Sequence, residues 1–431
     1  MKKLLFAIVV VVIVFSFVSC NNSFTCTECG QKCGEKDSYC SNCGAGLSSN
    51  VANDDGRLEY TLVEDENNKT YKITGVIDKT ITEISIPQTH QNKAVTAIES
   101  NAFTGCTSLK TIVVPDSITN IAEGAFAGCS ALENITIPFV GASADLTNSN
   151  YQFPFGYIFG SSDYEGAEET EQSVRFASVN IYFPATYYIP SSLKTVTIAS
   201  EKTTWVGGFD DCINLESIKI MQGITHIGMY AFKGCSNLKN ILLPDTVTYI
   251  DMQAFYDCIN ITSFTIPSSI NTICGEAFWG CYKLVEVINH SSLDITVGSR
   301  DFGGIASYAI EVHNGNSHIV EENAYQFYEK DDKNYLISYI GKDTNIAFPE
   351  NFNGKSYNIY DFAFYYNTTI ETVTMPKCIT SIGSFAFSGC EIEEIRFSGT
   401  VGEWNDIAKD GSWNYNWHGF TVICSDGEIT Y

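Results

Sequence analysis

The sequence predicts a repeat solenoid, mainly β, whose coils stack to form a parallel β-sheet face and are connected by short helical or irregular turns. Three observations support this fold class. A short phrase, Ala-Phe-x-x-Cys, recurs along the chain, apolar positions keep a constant register around it, and short alternating segments end at proline. A unit of this length cannot bury its own apolar face, so neighbouring units must stack.

The repeated phrase has a constant period. Successive phenylalanines are 23 residues apart in one run of four, and shorter runs lie on either side: Phe103 and Phe126; Phe209, Phe232, Phe255 and Phe278; Phe364 and Phe387. The cysteine of the phrase is present in most copies, but Asn367 occupies its place after Phe364. This regularity predicts continuous buried columns rather than a globular core.

Each unit also contains a short strand. Ile112, Val113 and Val114 alternate between the two faces of a strand, and Pro115 ends the strand because it lacks a backbone donor. Every coil is therefore expected to add one strand to a parallel sheet.

The repeats resemble a known family. Ile227 and Gly228, Ala231 and Phe232, Gly234 and Cys235, Leu238 and residues 241–244 look like the repeat of the BspA-like leucine-rich-repeat family, which occurs in surface proteins of bacteria and some mucosal protozoa. The similarity covers nearly all of the chain after residue 60. Residues 60–87 resemble the usual start of the array. The closing stretch of the chain resembles the usual end of such an array; it contains Gly399, Thr400, Trp404, Cys424, Asp426 and Gly427.

The first residues predict export. Lys2 and Lys3 precede an uncharged apolar stretch, residues 4–18, so residues 1–19 read as a signal peptide. Phe17, Val18, Ser19 and Cys20 resemble a bacterial lipobox, although that pattern usually has leucine at the place of Phe17. Lipidation of Cys20 would attach the chain to a membrane; the alternative is an ordinary signal segment.

Residues 20–46 form a cysteine-rich head. Cys26, Cys29, Cys40 and Cys43 make two C-x2-C pairs, a spacing that predicts a structural zinc ion held by four thiolates and resembles a short zinc ribbon. The alternative is a small disulfide knot or loosely oxidised thiols, because exported cysteines commonly pair. Residues 47–57 read as a flexible linker.

The solenoid is assigned to residues 58–431, with two departures from the period at about 139–190 and 289–358. Both are interpreted as elaborated coils or protruding loops. The first is rich in aromatic residues, which either form a recognition element or pack on the flank of the solenoid. A cap is expected at about 396–431, where Trp404, Trp413 and Trp417 would cover the last apolar face.

Composition excludes one class of partner. Lys and Arg number 25 against 50 Asp and Glu, and a net charge of -25 repels phosphate backbones. We therefore expect no nucleic-acid partner. Charged residues make up 17% of the chain and aromatic residues 13%, which is typical of a folded protein rather than a disordered acidic one.

The outward positions of the predicted strands are mostly small and polar. Extended solenoid faces are commonly binding surfaces because many weak contacts add along a rigid plane. Alternatively, threonine and asparagine merely suit exposed strand positions. The candidate binding face consists of Thr111, Asn134, Thr136, Thr195, Thr197, Ser217, Lys219, Asn240, Ser263, Thr265, Thr372 and Thr374.

No catalytic motif is recognised. The repeat cysteines are interpreted as small buried hydrophobes, and the six histidines are expected to be isolated. The stretch Gly354, Lys355 and Ser356 lacks the first glycine of a phosphate loop, since Pro349 stands at that place. The predicted protein is therefore not an enzyme.

Together these features predict a non-enzymatic binding or adhesion protein at the cell surface or outer envelope, anchored by lipid, with an extracellular protein or glycan as ligand. The family resemblance implies attachment to host proteins or to other microbes, but no residue identifies the ligand. A structural envelope protein that self-associates is the alternative. A hydrolase with its site in the two irregular stretches is a third hypothesis, although no carboxylate pair or metal triad is identifiable there.

Overall fold

The computed structural model describes residues 23–25, 32–34, 56–64, 69–143, 151–152, 154–176, 181–199, 203–417 and 419–431. The predicted signal peptide, the lipidation site and the zinc ligands lie outside these residues: Cys20, Cys26, Cys29, Cys40 and Cys43. The chain divides into two compact units, residues 1–52 and residues 53–431.

Two short strands are described in the first unit. β1 (Ser23–Thr25) and β2 (Lys32–Gly34) pair antiparallel, with Phe24 opposite Cys33. They lie within the residues assigned to the cysteine-rich head, so that part of the sequence contains a β-hairpin.

The second unit begins with a hairpin that leads into parallel pairing. Its first strands are β3 (Leu58–Glu64), β4 (Lys69–Val76), β5 (Glu83–Ser85), β6 (Thr89–His90), β7 (Lys93–Ile98), β8 (Thr111–Val113), β9 (Asn120–Ile121) and β10 (Asn134–Ile137). β3 and β4 pair antiparallel, and β4 then pairs in parallel with β7. The hairpin therefore covers one end of the stack, as a terminal repeat must.

The strands that follow are β11 (Tyr151–Gln152), β12 (Ala167–Phe176), β13 (Ile181–Pro190), β14 (Thr195–Ile198), β15 (Trp205–Val206), β16 (Ser217–Ile220), β17 (His226–Ile227), β18 (Asn240–Leu242), β19 (Tyr249–Ile250), β20 (Ser263–Ile266), β21 (Thr272–Ile273), β22 (Glu286–Asn289) and β23 (Glu311–His313). Each regular coil contributes one strand to a main sheet and a two-residue strand to a side sheet. The main sheet has the parallel order β18-β16-β14-β10-β8-β5, and the side sheet has the order β15-β17-β19-β21. We call residues 56–313 the first array.

Phenylalanines of the repeated phrase stack along the inside of the first array. Their ring centroids are 5.4 Å apart between Phe209 and Phe232, 5.3 Å between Phe232 and Phe255, and 5.0 Å between Phe255 and Phe278. The backbone N–H of Phe232 donates to the Ala254 carbonyl of the next coil at 2.7 Å. The predicted solenoid of stacked coils is thus confirmed, and we call this column the phenylalanine spine.

The irregular stretch 139–190 extends the spine instead of interrupting it. A short 3-10 helix, Phe155–Ile158, places the Phe155 ring 4.7 Å from Phe209, while Phe159 lies 6.3 Å from Phe126. Phe155 and Phe159 are fully buried, whereas Phe183 on β13 is 49% exposed. Most of the described rings in this stretch therefore pack on the solenoid.

The second irregular stretch, 289–358, contains the start of another array. The remaining elements are β24 (Ile319–Glu322), β25 (Tyr325–Lys330), β26 (Lys333–Tyr339), β27 (Asn345–Ala347), β28 (Tyr357–Ile359), β29 (Thr372–Met375), β30 (Ile379–Ile382), β31 (Glu394–Phe397), α1 (Val401–Asp406), β32 (Ala408–Lys409), β33 (Thr421–Cys424) and β34 (Gly427–Thr430). β25 and β26 form an antiparallel hairpin, and β26 pairs in parallel with β28. This arrangement repeats that of β3, β4 and β7. We call residues 319–431 the second array.

The two arrays have separate cores. One cluster of buried apolar residues extends from Leu58 to Ala309, and another extends from Tyr325 to Cys424. A third, small cluster lies between them and joins Val285 of the first array to Tyr328 and Ile337 of the second. The solenoid is therefore built from two stacks that meet at an apolar joint.

The second array closes with an aromatic cap. Thr400 and Glu403 form a capping box at the start of α1, which orients the fully buried Trp404. Trp413 and Trp417 are also buried in the second core. These three indoles lie where the sequence predicts the cover of the last coil.

Candidate binding surface

The main sheet of the first array aligns its outward side chains in two columns. The burial of the strands alternates, so that one residue faces the core and the next is partly exposed. In one column the register joins Thr111, Asn134, Thr195 and Ser217. In the other it joins Thr136, Thr197 and Lys219. Seven of the predicted face residues therefore lie on one sheet.

The same sheet also carries apolar groups. Thr136 pairs in register with Val113, and Lys219 pairs with Leu242, whose side chain is 61% exposed. The backbone of Asn240 pairs with Ser217, but its side chain lies outside what the structure describes. The face is thus a polar plane bordered by an exposed leucine.

The other four predicted residues lie on different sheets. Ser263 and Thr265 belong to the sheet β20-β22-β23, and Thr372 and Thr374 belong to the sheet β27-β29-β31-β33-β34 of the second array. The Ser263 hydroxyl donates to the buried Glu286 carboxylate at 2.7 Å, so it is occupied within the protein. The twelve predicted positions are therefore distributed over three sheets.

Charged residues border the seven-residue plane at its strand starts. Lys110 Nζ lies 3.0 Å from Glu133 Oε1, and Lys194 Nζ lies 3.8 Å from Glu216 Oε1. All four side chains are between 34% and 57% exposed. Exposed pairs of this kind contribute little to stability, typically about 0–1 kcal/mol, so their main effect is on the local potential.

The repeat cysteines are buried, as predicted, and they also donate hydrogen bonds. In five of them the Sγ–H donates to the carbonyl of the phenylalanine in the preceding coil, as from Cys235 to Phe209 and from Cys258 to Phe232, both at 3.0 Å. Burial raises the pKa of Cys258 well above its ordinary value, so the thiol stays protonated. The ten cysteines of residues 53–431 are free thiols. The cysteine column is therefore structural and unreactive.

Of the three cysteines outside the column, Cys274 and Cys378 are partly exposed and Cys424 is buried. The Cys274 sulfur lies 2.9 Å from the Tyr249 hydroxyl. Cys378 donates to the Pro349 carbonyl at 3.6 Å. These contacts give both partly exposed thiols a local partner.

The expectation of six isolated histidines is wrong for two of them. The imidazoles of His313 and His318 stack with their centroids 4.4 Å apart, beside the buried Glu286. Sequence reasoning missed this group because Glu286 is far from the histidines in the chain and lies next to them only through the pairing of β22 with β23. The only local signal was the presence of two histidines in the irregular stretch 289–358.

Stacked coils with a parallel main sheet and a buried phenylalanine spine define a leucine-rich-repeat solenoid. The family model described as BspA type leucine rich repeat region matches in six copies, over residues 77–151, 206–330 and 334–411. The chain belongs to this BspA type family, as its repeats predict. No curated protein matches the chain.

Several solved structures are similar to this chain. A leucine rich cell surface protein from Faecalibacterium prausnitzii is 20% identical, with 83% of this chain and 97% of that chain covered and a TM-score of 0.30. A leucine rich repeat protein from T. pallidum is 19% identical, with 61% and 98% covered and a TM-score of 0.29. One from Bacteroides ovatus is 18% identical, with 85% and 98% covered and a TM-score of 0.22. With such low TM-scores, these likenesses carry no argument about function.

No helix within the described residues combines the length and apolar character needed to cross a bilayer.

Proposed function

We propose that this protein is a non-enzymatic binding or adhesion protein of the cell surface that recognises an extracellular protein or glycan through the main sheet of its first array. Its membership in the BspA type leucine rich repeat family supports this proposal, because repeat arrays of this kind commonly mediate protein–protein interaction.

The observation that carries the proposal is the seven-residue plane of the first array. Its side chains are held in fixed register by parallel pairing, and the buried columns behind them prevent the plane from adjusting. A rigid plane loses little conformational entropy on binding, so weak polar contacts can add. The exposed Leu242 at its border supplies an apolar contact of the kind found in interface cores.

The amino-terminal features complete the proposal. A signal peptide over residues 1–19 would export the chain, and a lipid on Cys20 would hold it at the membrane. A zinc ion bound by Cys26, Cys29, Cys40 and Cys43 would make the head a small folded spacer. The acidic composition is consistent with a partner that is not a nucleic acid.

The test is a binding screen of the full chain against immobilised extracellular-matrix proteins and glycans. A Thr136→Arg, Thr197→Arg double variant places two long cations on adjacent positions of the plane. We expect it to weaken binding of any ligand found by at least about tenfold, or about 1.4 kcal/mol. Thr104→Arg, in an exposed turn outside the sheets, is the matched control and should bind as the original chain does.

Two outcomes would contradict the proposal. Ligand binding that survives the double variant would remove the first-array plane from the interface. Concentration-dependent assembly without any ligand, abolished by the same double variant, would favour the structural hypothesis of a self-associating envelope protein.

A further inference from the structure

A polar cluster lies where the two arrays meet. Its members are Glu286 on β22, Glu311 and His313 on β23, His318 just before β24, and Tyr328 on β25. It lies beside the apolar joint, because Tyr328 also packs against Val285 and Ile337. We call these five residues the joint cluster.

Glu286 is the centre of the joint cluster, and its side chain is fully buried. The Ser263 and Ser317 hydroxyls donate to Oε2 at 2.7 and 2.6 Å, and the His318 backbone N–H donates to Oε1 at 2.6 Å. Both oxygens thus accept hydrogen bonds, as those of an ionised carboxylate do.

This buried anion has no lysine or arginine partner among the described residues. Burying a charge is costly unless an opposite charge or a metal compensates it. The groups that face Glu286 are neutral donors and the His313 imidazole, whose Nε2 lies 3.2 Å from Oε1. A bound cation would supply the missing positive charge.

The distances between ligand atoms of the joint cluster match the edges of a tetrahedral zinc site. His313 Nε2 and Glu286 Oε1 are 3.2 Å apart, and His318 Nδ1 and Glu311 Oε2 are also 3.2 Å apart. These lengths are at the long end of the range for N–H···O hydrogen bonds, about 2.7–3.2 Å. A tetrahedron of bonds of about 2.0–2.1 Å has edges of about 3.3 Å. Ligand atoms of Glu286, His313 and His318 all lie within 4.8 Å of one another.

The surrounding groups orient these ligands. Ser263 and Ser317 occupy Oε2 of Glu286, while Oε1 faces His313. The Tyr328 hydroxyl donates to Glu311 Oε2 at 2.7 Å. Hydrogen bonds of this kind to ligand carboxylates are typical of metal sites in proteins.

We propose that Glu286, His313 and His318 bind a zinc ion that ties the last strands of the first array to the start of the second, with Glu311, whose Oε2 lies 3.2 Å from His318 Nδ1, as the fourth ligand. Two carboxylates balance the charge of Zn²⁺, and two imidazoles with two carboxylates fill a tetrahedral site. No position is left for a reacting water, so the ion would be structural.

Binding requires a local rearrangement of the imidazoles. The Gly315 N–H donates to Nδ1 of His313 at 3.1 Å, so Nε2 carries the ring proton toward Glu286. Zinc at Nε2 moves this proton to Nδ1, and the exposed Gly315 N–H then bonds to water. His318, whose side chain is 50% exposed, has room to tilt its ring so that the Nδ1 lone pair turns to the ion while Nδ1 stays within the joint cluster.

The experiment is a calorimetric titration of the chelator-treated full chain with Zn²⁺. Because the cysteine-rich head is itself a proposed zinc site, every variant also carries Cys26→Ser and Cys29→Ser. We expect this background to bind one equivalent of zinc, and His318→Ala to weaken binding by roughly 100-fold. His290→Ala, which changes an exposed histidine outside the joint cluster, is the matched control and should bind normally.

A second measurement locates the ion. Zinc should slow the hydrogen exchange of residues 311–328 in the background variant and leave it unchanged in His318→Ala. The proposal is overturned by a background variant that binds no zinc, or by binding that is the same in His318→Ala and His290→Ala. Neither result depends on the adhesion test, since that test probes the outward plane and not the joint.

Discussion

The two arrays begin alike and end differently. Near the start of each lies an antiparallel hairpin, β3–β4 or β25–β26, that contains a register shift and whose second strand pairs in parallel with a later strand; in the second array β24 also pairs antiparallel with β25. The second array ends on the buried indoles of Trp404, Trp413 and Trp417. Among the described residues the first array has no such cap, and Val285 near its end packs against Tyr328 and Ile337 of the second.

This difference shows how a solenoid can be extended without lengthening one stack. A terminal coil leaves an apolar face that something must cover. In the second array a dedicated aromatic cap serves this purpose, whereas in the first array the starting hairpin of the next array does. The joint also includes the stacking of Tyr282 on Phe362, with ring centroids 4.8 Å apart. The two large clusters of buried residues nevertheless stay separate, so we expect the two cores to respond separately to core substitutions.

The largest expected change in unfolding free energy comes from substituting matching phenylalanines in the two arrays. Phe255→Ala and Phe364→Ala each remove a fully buried ring, and each should cost about 3–5 kcal/mol of unfolding free energy. In urea, Phe364→Ala should mainly lower the transition reported by tryptophan fluorescence, because three of the five tryptophans, Trp404, Trp413 and Trp417, lie in the second core. Phe255→Ala should mainly lower the transition reported by far-ultraviolet circular dichroism.

Equal shifts of both signals in both variants would contradict separate cores. That result would mean that the apolar joint couples the arrays into one cooperative unit.

A smaller change in unfolding free energy is expected from Asp210, whose carboxylate binds the 139–190 stretch to the rest of the first array. The Asp210 carboxylate accepts the Ser173 N–H at 2.7 Å, and its Oδ1 has no partner among the described residues. Burial raises the pKa of Asp210 to about 6. The folded state therefore binds this proton more tightly than the unfolded state, and stability falls as pH rises from about 4 through 6.

Asp210→Asn removes the cost of burying an ionised carboxylate at this position. We expect the variant to match the original chain near pH 4 and to be about 1–2 kcal/mol more stable above pH 7. Thermal unfolding across this pH range measures the difference. The second array provides an internal control, since its transition should not move; a gain that is independent of pH would contradict burial of the charge as the cause.

The smallest effect on stability is expected in the cysteine column. In the first array neighbouring coils carry this cysteine, whereas in the second array Asn367 replaces it in one coil. Cys258→Ala removes the Sγ–H donor to the Phe232 carbonyl, which keeps a second bond from the Cys235 N–H at 3.1 Å. The expected cost is about 1 kcal/mol. Cys258→Ser retains a donor in the same place and should lose less; equal losses in urea unfolding would assign the cost to packing alone.

The repeat positions were predictable because each has a partner at a constant distance along the chain. Phe232 must stack on Phe255, and Thr195 must lie beside Ser217, once equal coils stack. The joint cluster was not predictable in this way. Glu286 meets His318 through a non-repeating turn, and no period connects them.

The sequence alone determined the family, the stacked coils and the residues of the buried columns, because a constant period fixes the neighbours of every repeat position. Only the tertiary structure decided that residues 289–358 contain the start of a second array and that Glu286, His313 and His318 come together. Those contacts depend on how a hairpin packs against the end of another stack, and packing between segments that do not repeat leaves no periodic signal in the chain.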